Sequence, residues 1–151
     1  MSKKTERYVV ADRISDDYQK FRVGFSQFDK LCRNAENPVK AVLLLPTKHN
    51  IDDDTTLASF LRRNNTREIV EDLRVGRDVI LPCGTPFSLE TTQSFNDSGE
   101  PLIVLAVNTS AGMLTKIDEA KNLQSVIVVP GRASDVADWK RQWEPYSISE
   151  Y

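Results

Sequence analysis

The sequence predicts an α/β fold: a three-layer sandwich with a four- to five-stranded, mostly parallel, Rossmann-like sheet. One observation is a set of short apolar runs that each end at a polar, turn-forming segment: residues 41–45, 79–81, 102–107 and 126–129. Such continuous runs are typical of strands that are buried on both faces of a sheet. A second observation is that amphipathic helical patterns separate the runs, as they do in βαβ units.

The bulk composition predicts a single domain that spans residues 1–151. The chain has 151 residues, 40% hydrophobic and 28% charged, which suits one globular domain with a substantial core. We expect residues 1–7 and 146–151 to be surface tails. The net charge of −2, from 20 basic and 22 acidic residues, does not indicate nucleic-acid binding.

The apolar patterning and the cysteines favour a cytoplasmic protein that does not enter a membrane. The longest apolar run, residues 102–107, is far shorter than the roughly 20 residues that cross a bilayer. The short apolar stretch after the basic N-terminus is interrupted at Asp12, so no secretory signal is indicated. Cys32 and Cys83 lie on different predicted elements, without metal-type spacing, which is typical of a reduced compartment.

The first half of the chain predicts one long helix and then a strand followed by two shorter helices. Aromatic and apolar residues recur every three or four positions after the candidate cap Ser15: Tyr18, Phe21, Phe25, Phe28 and Cys32. This stripe favours packing on the domain's own sheet, with a partner surface as the alternative. Beyond the strand at residues 40–46, two helical stretches are expected, and Asn65 with Glu68 resembles a capping box at the start of the second one.

Residues 87–95 alternate at period two and predict a strand or extended arm rather than a helix. The turn signal at residues 96–99 indicates that this arm forms an antiparallel hairpin with the strand that starts at Leu102. We therefore expect a mixed sheet.

The last third predicts a βαβα unit: strand 102–107, a helix near 110–123, strand 125–129 and a helix after Ser134. Trp139 and Trp143 lie four residues apart on that final helix, which favours packing of the helix on the sheet over stacking on a ligand.

The loops that follow the predicted strands form the candidate ligand site. In a parallel sheet these loops meet at the carboxyl edge, where ligands bind in α/β proteins. The candidate ligand-binding residues are Lys48, Asn108, Thr109, Ser110, Gly112, Gly131, Arg132 and Ser134. Hydroxyl groups, amides near helix starts and the Arg132 guanidinium suit a small anionic or nucleotide-like ligand. Serine, threonine and glycine also serve simply as helix caps and turn residues, and neither GxGxxG nor GxxxxGK[ST] occurs.

Two residues, Cys83 and His49, are candidate catalytic groups, because a thiolate needs a neighbouring base. They would meet if the first two strands of the predicted sheet were adjacent; the alternative is that Cys83 is a small buried residue. His49 with the aspartates at residues 52–54 offers ligand atoms for a divalent ion, but these aspartates also suit a helix N-terminus, and no metal site is assigned. The sequence leaves open whether the protein is an enzyme and which cofactor, if any, it uses.

The segment 76–86, continued by a turn at 97–99 and by residues 101–104, is similar to the second conserved motif of cupin barrels. The resemblance covers about a fifth of the chain, has Phe87 where that family usually has a histidine ligand, and lacks the histidine-rich first motif. It implies a β unit for residues 76–107 without the usual metal centre.

Two function classes follow. The first is a Rossmann-like module that binds a small anionic ligand at the carboxyl edge. The second is a non-enzymatic interaction or regulatory domain that contacts a protein partner or a second copy of the chain, because catalytic residue types are scarce.

Overall fold

The computed structural model describes residues 5–96 and 99–150. Within them, seven strands form one sheet: β1 (Glu6–Val10), β2 (Lys40–Leu45), β3 (Val79–Ile80), β4 (Pro86–Thr91), β5 (Leu102–Thr109), β6 (Leu123–Pro130) and β7 (Tyr146–Ile148). The strand order is β3-β4-β2-β5-β6-β1-β7. Every neighbouring pair is parallel except β3 and β4, which pair antiparallel.

In the described ranges, five α-helices cover this sheet on both faces: α1 (Asp17–Asn34), α2 (Thr56–Asn64), α3 (Ile69–Arg74), α4 (Ala111–Asp118) and α5 (Ala137–Trp143). Short 3-10 helices lie at Lys48–Ile51 and Ala133–Val136. Helices α1 to α3 pack on one face and α4 and α5 on the other. The predicted α/β class and its three layers are confirmed, with more strands than the four or five expected.

The central strands are buried on both faces, which explains their continuous apolar sequence. Successive side chains of β2 point to opposite faces: Leu43 and Leu45 belong to the core under α1 to α3, while Val42 and Leu44 belong to the core under α4 and α5. The same alternation runs through β5 and β6. Each strand therefore contributes to two separate hydrophobic cores.

The chain leaves neighbouring strands β2 and β5 toward opposite faces. After β2 it enters α2 and α3 on the first face, whereas after β5 it enters α4 on the second face. Because the two strands are parallel and paired, their exit loops separate and open a crevice between them.

Helix α1 shows how the aromatic stripe is used. Its side-chain cap is Asp16, which accepts a hydrogen bond from the N–H of Tyr18, one residue later than the predicted cap Ser15. Phe21 and Phe28 are buried in the first core. The expected packing of the stripe on the domain's own sheet is confirmed.

The middle segment belongs to the α/β sheet, so the cupin-like alternative for residues 76–107 is wrong. The expected antiparallel arm is present: Phe87 on β4 lies opposite Val79 on β3. Its partner differs from the predicted hairpin, since β4 also pairs in parallel with β2, and β5 pairs with β2 and β6. Residues 97 and 98 of the predicted turn lie outside the described residues.

The expected C-terminal tail is instead partly strand β7, which pairs with β1 at the sheet edge and places Tyr146 opposite Tyr8. At the other end of the chain, Glu6 and Arg7 belong to β1 rather than to a tail.

The tryptophan pair serves the packing of α5. Trp139 is buried, and the indole N–H of Trp143 donates to Asp118 on α4 over 3.1 Å. The Arg7 guanidinium stacks 3.6 Å from the centre of the Trp143 ring. The expected packing role is confirmed for Trp139, whereas Trp143 makes these two contacts and is 37% exposed.

In the part of the chain that the structure describes, the helices are too short or too polar to cross a bilayer.

Gly24 and Gly112 provide a matched pair of helical glycines for testing the helix–sheet contact. A Cβ atom on Gly24 would lie 2.8 Å from Val129 Cγ2 and 3.3 Å from Leu105 Cδ1, whereas one on Gly112 would meet no atom within 4 Å. We expect Gly24→Val to lower the free energy of unfolding by about 2 kcal/mol or more through overpacking. Gly112→Val should change it by less than about 0.5 kcal/mol. Urea unfolding measures both, and equal losses would contradict the close packing of α1.

Candidate functional site

The crevice between the carboxyl ends of β2 and β5 is a hollow of about 420 Å³. It is formed by the loop after β2, the end of β5 and the first turns of α1 and α2. Its lining residues are Asp17, Phe21, Thr47, His49, Asn50, Asp54, Thr55, Thr56, Leu57 and Asn108. We refer to this set as the carboxyl-edge crevice.

The loop after β2 is held by a local hydrogen-bonded turn. The Thr47 N–H donates to Asn50 Oδ1 over 3.1 Å, and the intervening residues form a 3-10 helix that ends at the buried Ile51. Ile51 anchors the loop in the core, while the polar side chains Thr47 and His49 remain exposed at the crevice.

Asn108 enters the crevice from a β-bulge. The register between β5 and β6 shifts between Val107 and Thr109, so that Asn108 is the extra residue. Its φ angle of 53° lies in the left-handed region, which asparagine tolerates better than most residues. The bulge interrupts the strand alternation and orients a half-buried amide side chain toward the crevice.

The first turn of α2 forms the opposite wall. Thr55 Oγ1 accepts a hydrogen bond from the Ala58 N–H over 3.1 Å and donates one to the Asp52 carbonyl over 2.7 Å. This double role fixes the start of the helix against the preceding loop. Asp54 precedes the cap and contributes an exposed carboxylate to the crevice.

The neighbouring aspartates are engaged in ion pairs. Asp52 lies 3.2 Å from His49 Nδ1 and 3.1 Å from the Arg74 guanidinium. Asp53 lies 2.6 Å from Arg62, whose hydrogen bond lowers the pKa of the Asp53 carboxyl. Over residues 5–96 and 99–150, the structure contains no group of three or more His, Cys, Asp or Glu residues arranged to hold a metal ion.

Lys48 has a structural contact outside the crevice. Its Nζ donates to the Arg74 carbonyl over 2.9 Å, which places the ammonium group at the C-terminal end of α3. The contact ties the loop after β2 to α3.

Three of the predicted ligand residues, at the end of β5 or just after it, have local structural contacts. The buried Thr109 hydroxyl donates to the Ala106 carbonyl over 2.9 Å. Ser110 is the N-cap of α4, since its hydroxyl accepts from the Met113 N–H, and Gly112 lies in the first turn of that helix. These hydrogen bonds fit the alternative interpretation, in which these residues serve as helix caps and turn residues.

The loop after β6 adjoins the crevice through Gly131. A Cβ atom at Gly131 would lie 3.6 Å from the Asn108 Cα, so the ends of β5 and β6 are in close contact there. Beyond it, Ser134 lines a second hollow of about 400 Å³ together with Asp12, Lys140 and Arg141. Arg132, the residue after Gly131, is exposed.

The sequence did not predict the contributions of Phe21 and Leu57 to the crevice. Both are buried core residues whose side chains form its apolar floor. Asp17, the first residue of α1, also lines the crevice. A sequence pattern that marks the start of a helix identifies the capping residue, but it does not identify the strand that lies beside it. Only the order of the strands in the folded sheet therefore places the start of α1 at this site.

The proposed meeting of His49 and Cys83 is wrong. His49 follows the carboxyl end of β2, whereas Cys83 lies between β3 and β4, before the amino end of β4. Since β4 runs parallel to β2, His49 lies at the carboxyl ends of these strands and Cys83 lies at their amino ends. The Cys83 N–H instead donates to Asp29 on α1 over 2.9 Å, and its thiol lies 3.4 Å from Thr85 Oγ1.

The buried Cys32 thiol predicts a pH dependence of stability. Burial, with smaller effects of Cys83 and Asp29, raises the pKa of Cys32 to about 12, compared with about 8.5 for an ordinary thiol. Between these values the unfolded chain loses a proton that the native chain keeps. The free energy of unfolding should therefore fall as pH rises above about 8.5, by at most roughly 1.4 kcal/mol per pH unit.

Urea unfolding between pH 7.5 and 10 tests this prediction. We expect Cys32→Ala to show a shallower decline than the unmodified chain, while Cys83→Ala retains most of it. Parallel pH curves for the unmodified chain and Cys32→Ala would show that this thiol does not contribute.

Comparison with known proteins does not assign the chain to a family. No protein-family model, curated protein or solved structure matches the chain. The functional interpretation of the crevice therefore depends on the residues and contacts described above.

Proposed function

We propose that the protein is a small-molecule-binding domain whose ligand is nucleotide-like, with its hydroxyl-bearing part in the carboxyl-edge crevice. The observation that carries this proposal is the bulge at Asn108, which brings a side chain in a left-handed backbone conformation to the point where β2 and β5 diverge. Bulges that re-aim one side chain are common beside binding sites. The location is the one at which α/β sheets bind ligands.

The polar groups of the crevice suit hydroxyl groups better than a highly charged ligand. Asp17 and Asp54 provide carboxylates that accept hydrogen bonds from hydroxyls. Thr47 and Asn108 both donate and accept. Among the described residues, the crevice lining includes no lysine or arginine, so a polyphosphate would meet two carboxylates without a compensating cation from this lining.

A single anionic group has a better location over the loop after β6. Gly131 packs beside the Asn108 backbone, so the loop that carries Arg132 begins next to the crevice. The exposed Arg132 guanidinium is suited to bind a phosphate or carboxylate through two parallel hydrogen bonds. The proposed ligand therefore spans from Asp54 to Arg132, and the apolar floor of Phe21 and Leu57 contacts its ring.

Adenosine monophosphate, adenosine and inorganic phosphate separate the two parts of this proposal. We expect adenosine monophosphate to cause saturable shifts in the backbone amide signals of residues 47–57, 108 and 131–132 in nuclear magnetic resonance spectra. Adenosine should shift the first two groups only. Inorganic phosphate alone should bind more weakly, since it lacks the contacts in the crevice.

Asn108→Gly and Glu144→Gly form a matched pair for the same titration. Both residues have positive φ angles, of 53° and 47°, so glycine relieves the same backbone strain at each. Only Asn108 lines the crevice. Asn108→Gly should weaken adenosine monophosphate binding by about tenfold, the effect of losing about one hydrogen bond, whereas Glu144→Gly leaves it unchanged.

Two outcomes would refute the proposal. One is the absence of saturable shifts at the carboxyl-edge crevice at millimolar concentrations of all three probes. The other is equal affinity of the two glycine variants for adenosine monophosphate.

A second candidate function, self-association, is favoured by two exposed aliphatic side chains, one at the end of α3 and one on strand β3. Val75 is 68% exposed and Ile80 is 57% exposed. Removal of such side chains from water by a second copy of the chain is favourable.

Light scattering over a range of concentrations tests this function. The unmodified chain should form a dimer, and Ile80→Lys should convert the dimer to a monomer. A monomer at every concentration of the unmodified chain would exclude this function.

A further inference from the structure

A third hollow, of about 340 Å³, lies on the first face of the sheet between α1, the end of α2 and the turn from β3 to β4. We infer that this hollow is a binding site for a planar aromatic molecule of about two fused rings that carries N–H donor groups. Its volume is at the lower end of the range for small-molecule sites. We call it the aromatic pocket.

Three phenylalanine rings from three different elements form the wall of the aromatic pocket. Phe25 on α1 lies 5.3 Å from the ring centre of Phe60 on α2 and 6.4 Å from that of Phe87 on β4. Phe60 and Phe87 are buried, whereas Phe25 is only half-buried. The exposed part of the Phe25 ring is therefore available for a planar ligand, which gains from edge and face contacts with aromatic rings beyond simple burial.

The opening of the pocket remains accessible because small or rigid residues surround it. Ser26 is exposed on α1, one residue after Phe25, and its short side chain leaves the ring uncovered. Leu81 and Pro82 form the opposite wall, and the fixed φ angle of proline limits the movement of this turn.

Two asparagines at the end of α2 contribute acceptor atoms. The Asn64 side-chain nitrogen donates to the Phe60 carbonyl over 2.8 Å, and the Asn65 side-chain nitrogen donates to the Leu61 carbonyl over 3.0 Å. Because the nitrogens satisfy carbonyls at the helix end, the Oδ1 atoms are the groups left to face other partners. These oxygens accept hydrogen bonds from N–H groups.

Asp29 contributes a buried carboxylate to the same pocket. The residue is 8% exposed; its Oδ1 accepts the Cys83 N–H over 2.9 Å and its Oδ2 accepts from Arg33 over 2.6 Å. Each carboxylate oxygen has room for two hydrogen bonds, so both keep acceptor capacity. The ion pair with Arg33 and the presence of Arg22 in the lining reduce the net negative charge, which favours a donor-bearing ring over a ligand recognised by charge alone.

The aromatic pocket is separate from the carboxyl-edge crevice. Asp17 lines the crevice and Asp29 lines the pocket, and twelve residues of an α-helix span about 18 Å. The two sites therefore lie toward opposite ends of α1, and neither proposal depends on the other.

Two compounds of nearly equal size test the chemistry of the pocket. 2-Aminobenzimidazole carries ring N–H and amino donors, whereas 1-methylbenzimidazole offers the same fused rings with an acceptor nitrogen and no N–H. In titrations of the full chain, we expect 2-aminobenzimidazole to shift the amide signals of Asn65, Leu81 and Phe87. 1-Methylbenzimidazole should bind at least about tenfold more weakly, because its rings would shield the Asp29 and asparagine oxygens from water without donating a hydrogen bond to them.

Ser26→Phe and Ser59→Phe test the location. Both serines are exposed on helices of the first layer, but only Ser26 lines the pocket. Ser26→Phe should fill the opening and weaken 2-aminobenzimidazole binding at least about tenfold, while Ser59→Phe leaves the affinity unchanged. The dispersion of the amide spectrum shows that each variant is folded.

The inference would be overturned by a lack of saturable shifts with 2-aminobenzimidazole on the unmodified chain, or by shifts confined to the carboxyl-edge crevice. It would also be overturned if the two compounds bound equally well. Unchanged affinity in folded Ser26→Phe would place binding elsewhere and so refute the assigned pocket. The first measurement uses only the unmodified chain, so the test does not depend on whether a variant folds.

Discussion

Burial of the parallel strands on both faces is the constraint that shapes this molecule. Leu43 and Leu45 contribute to one core and Val42 and Leu44 to the other, so β2 cannot shift its register by one residue without exchanging the two sets of side chains. The helices must then cover both faces, and the connection after each strand must lead to a helix on one face or on the other. The carboxyl-edge crevice is a consequence of this arrangement, since β2 and β5 pass the chain to opposite faces.

The same constraint explains why α1 has a part in both proposed sites. Gly24 lets the helix approach Leu105 and Val129 closely. The beginning of α1 contributes Asp17 and Phe21 to the crevice, and its middle contributes Phe25 and Asp29 to the aromatic pocket. The buried face of α1 is occupied by Phe21 and Phe28, while Phe25 lies at its border. A ring at such a border contributes both to the core and to a surface hollow.

The layers of the fold could be predicted because the signals are local. The unbroken apolar runs of β5 and β6 and the repeating spacing from Phe21 to Phe28 each report the burial of one element. The direction of β3 is not a local property: it depends on pairing with β4, and a two-residue strand carries almost no periodicity. That reversed strand is the reason why Cys83 lies far from His49.

The candidate site was only partly predictable for a similar reason. The position of Asn108 at the end of a strand follows from the sequence, but its bulge depends on the register with β6. Ser110 and Thr109 carry the residue types of a ligand site, yet their hydroxyls are used by the Met113 N–H and the Ala106 carbonyl. A sequence shows which groups are available, whereas the hydrogen bonds of the folded chain decide which of them stay available.

The short antiparallel strand at the sheet edge has a consequence for the solubility of the folded chain. Strand β4 is six residues long and carries Phe87 and Leu89, so its outer edge would be a template for pairing with the strands of other molecules. Val79 and Ile80 pair with the first two residues of that edge, Phe87 and Pro86. This short reversed strand thus shields the beginning of β4, and its detachment would expose a longer edge from which aggregates can grow.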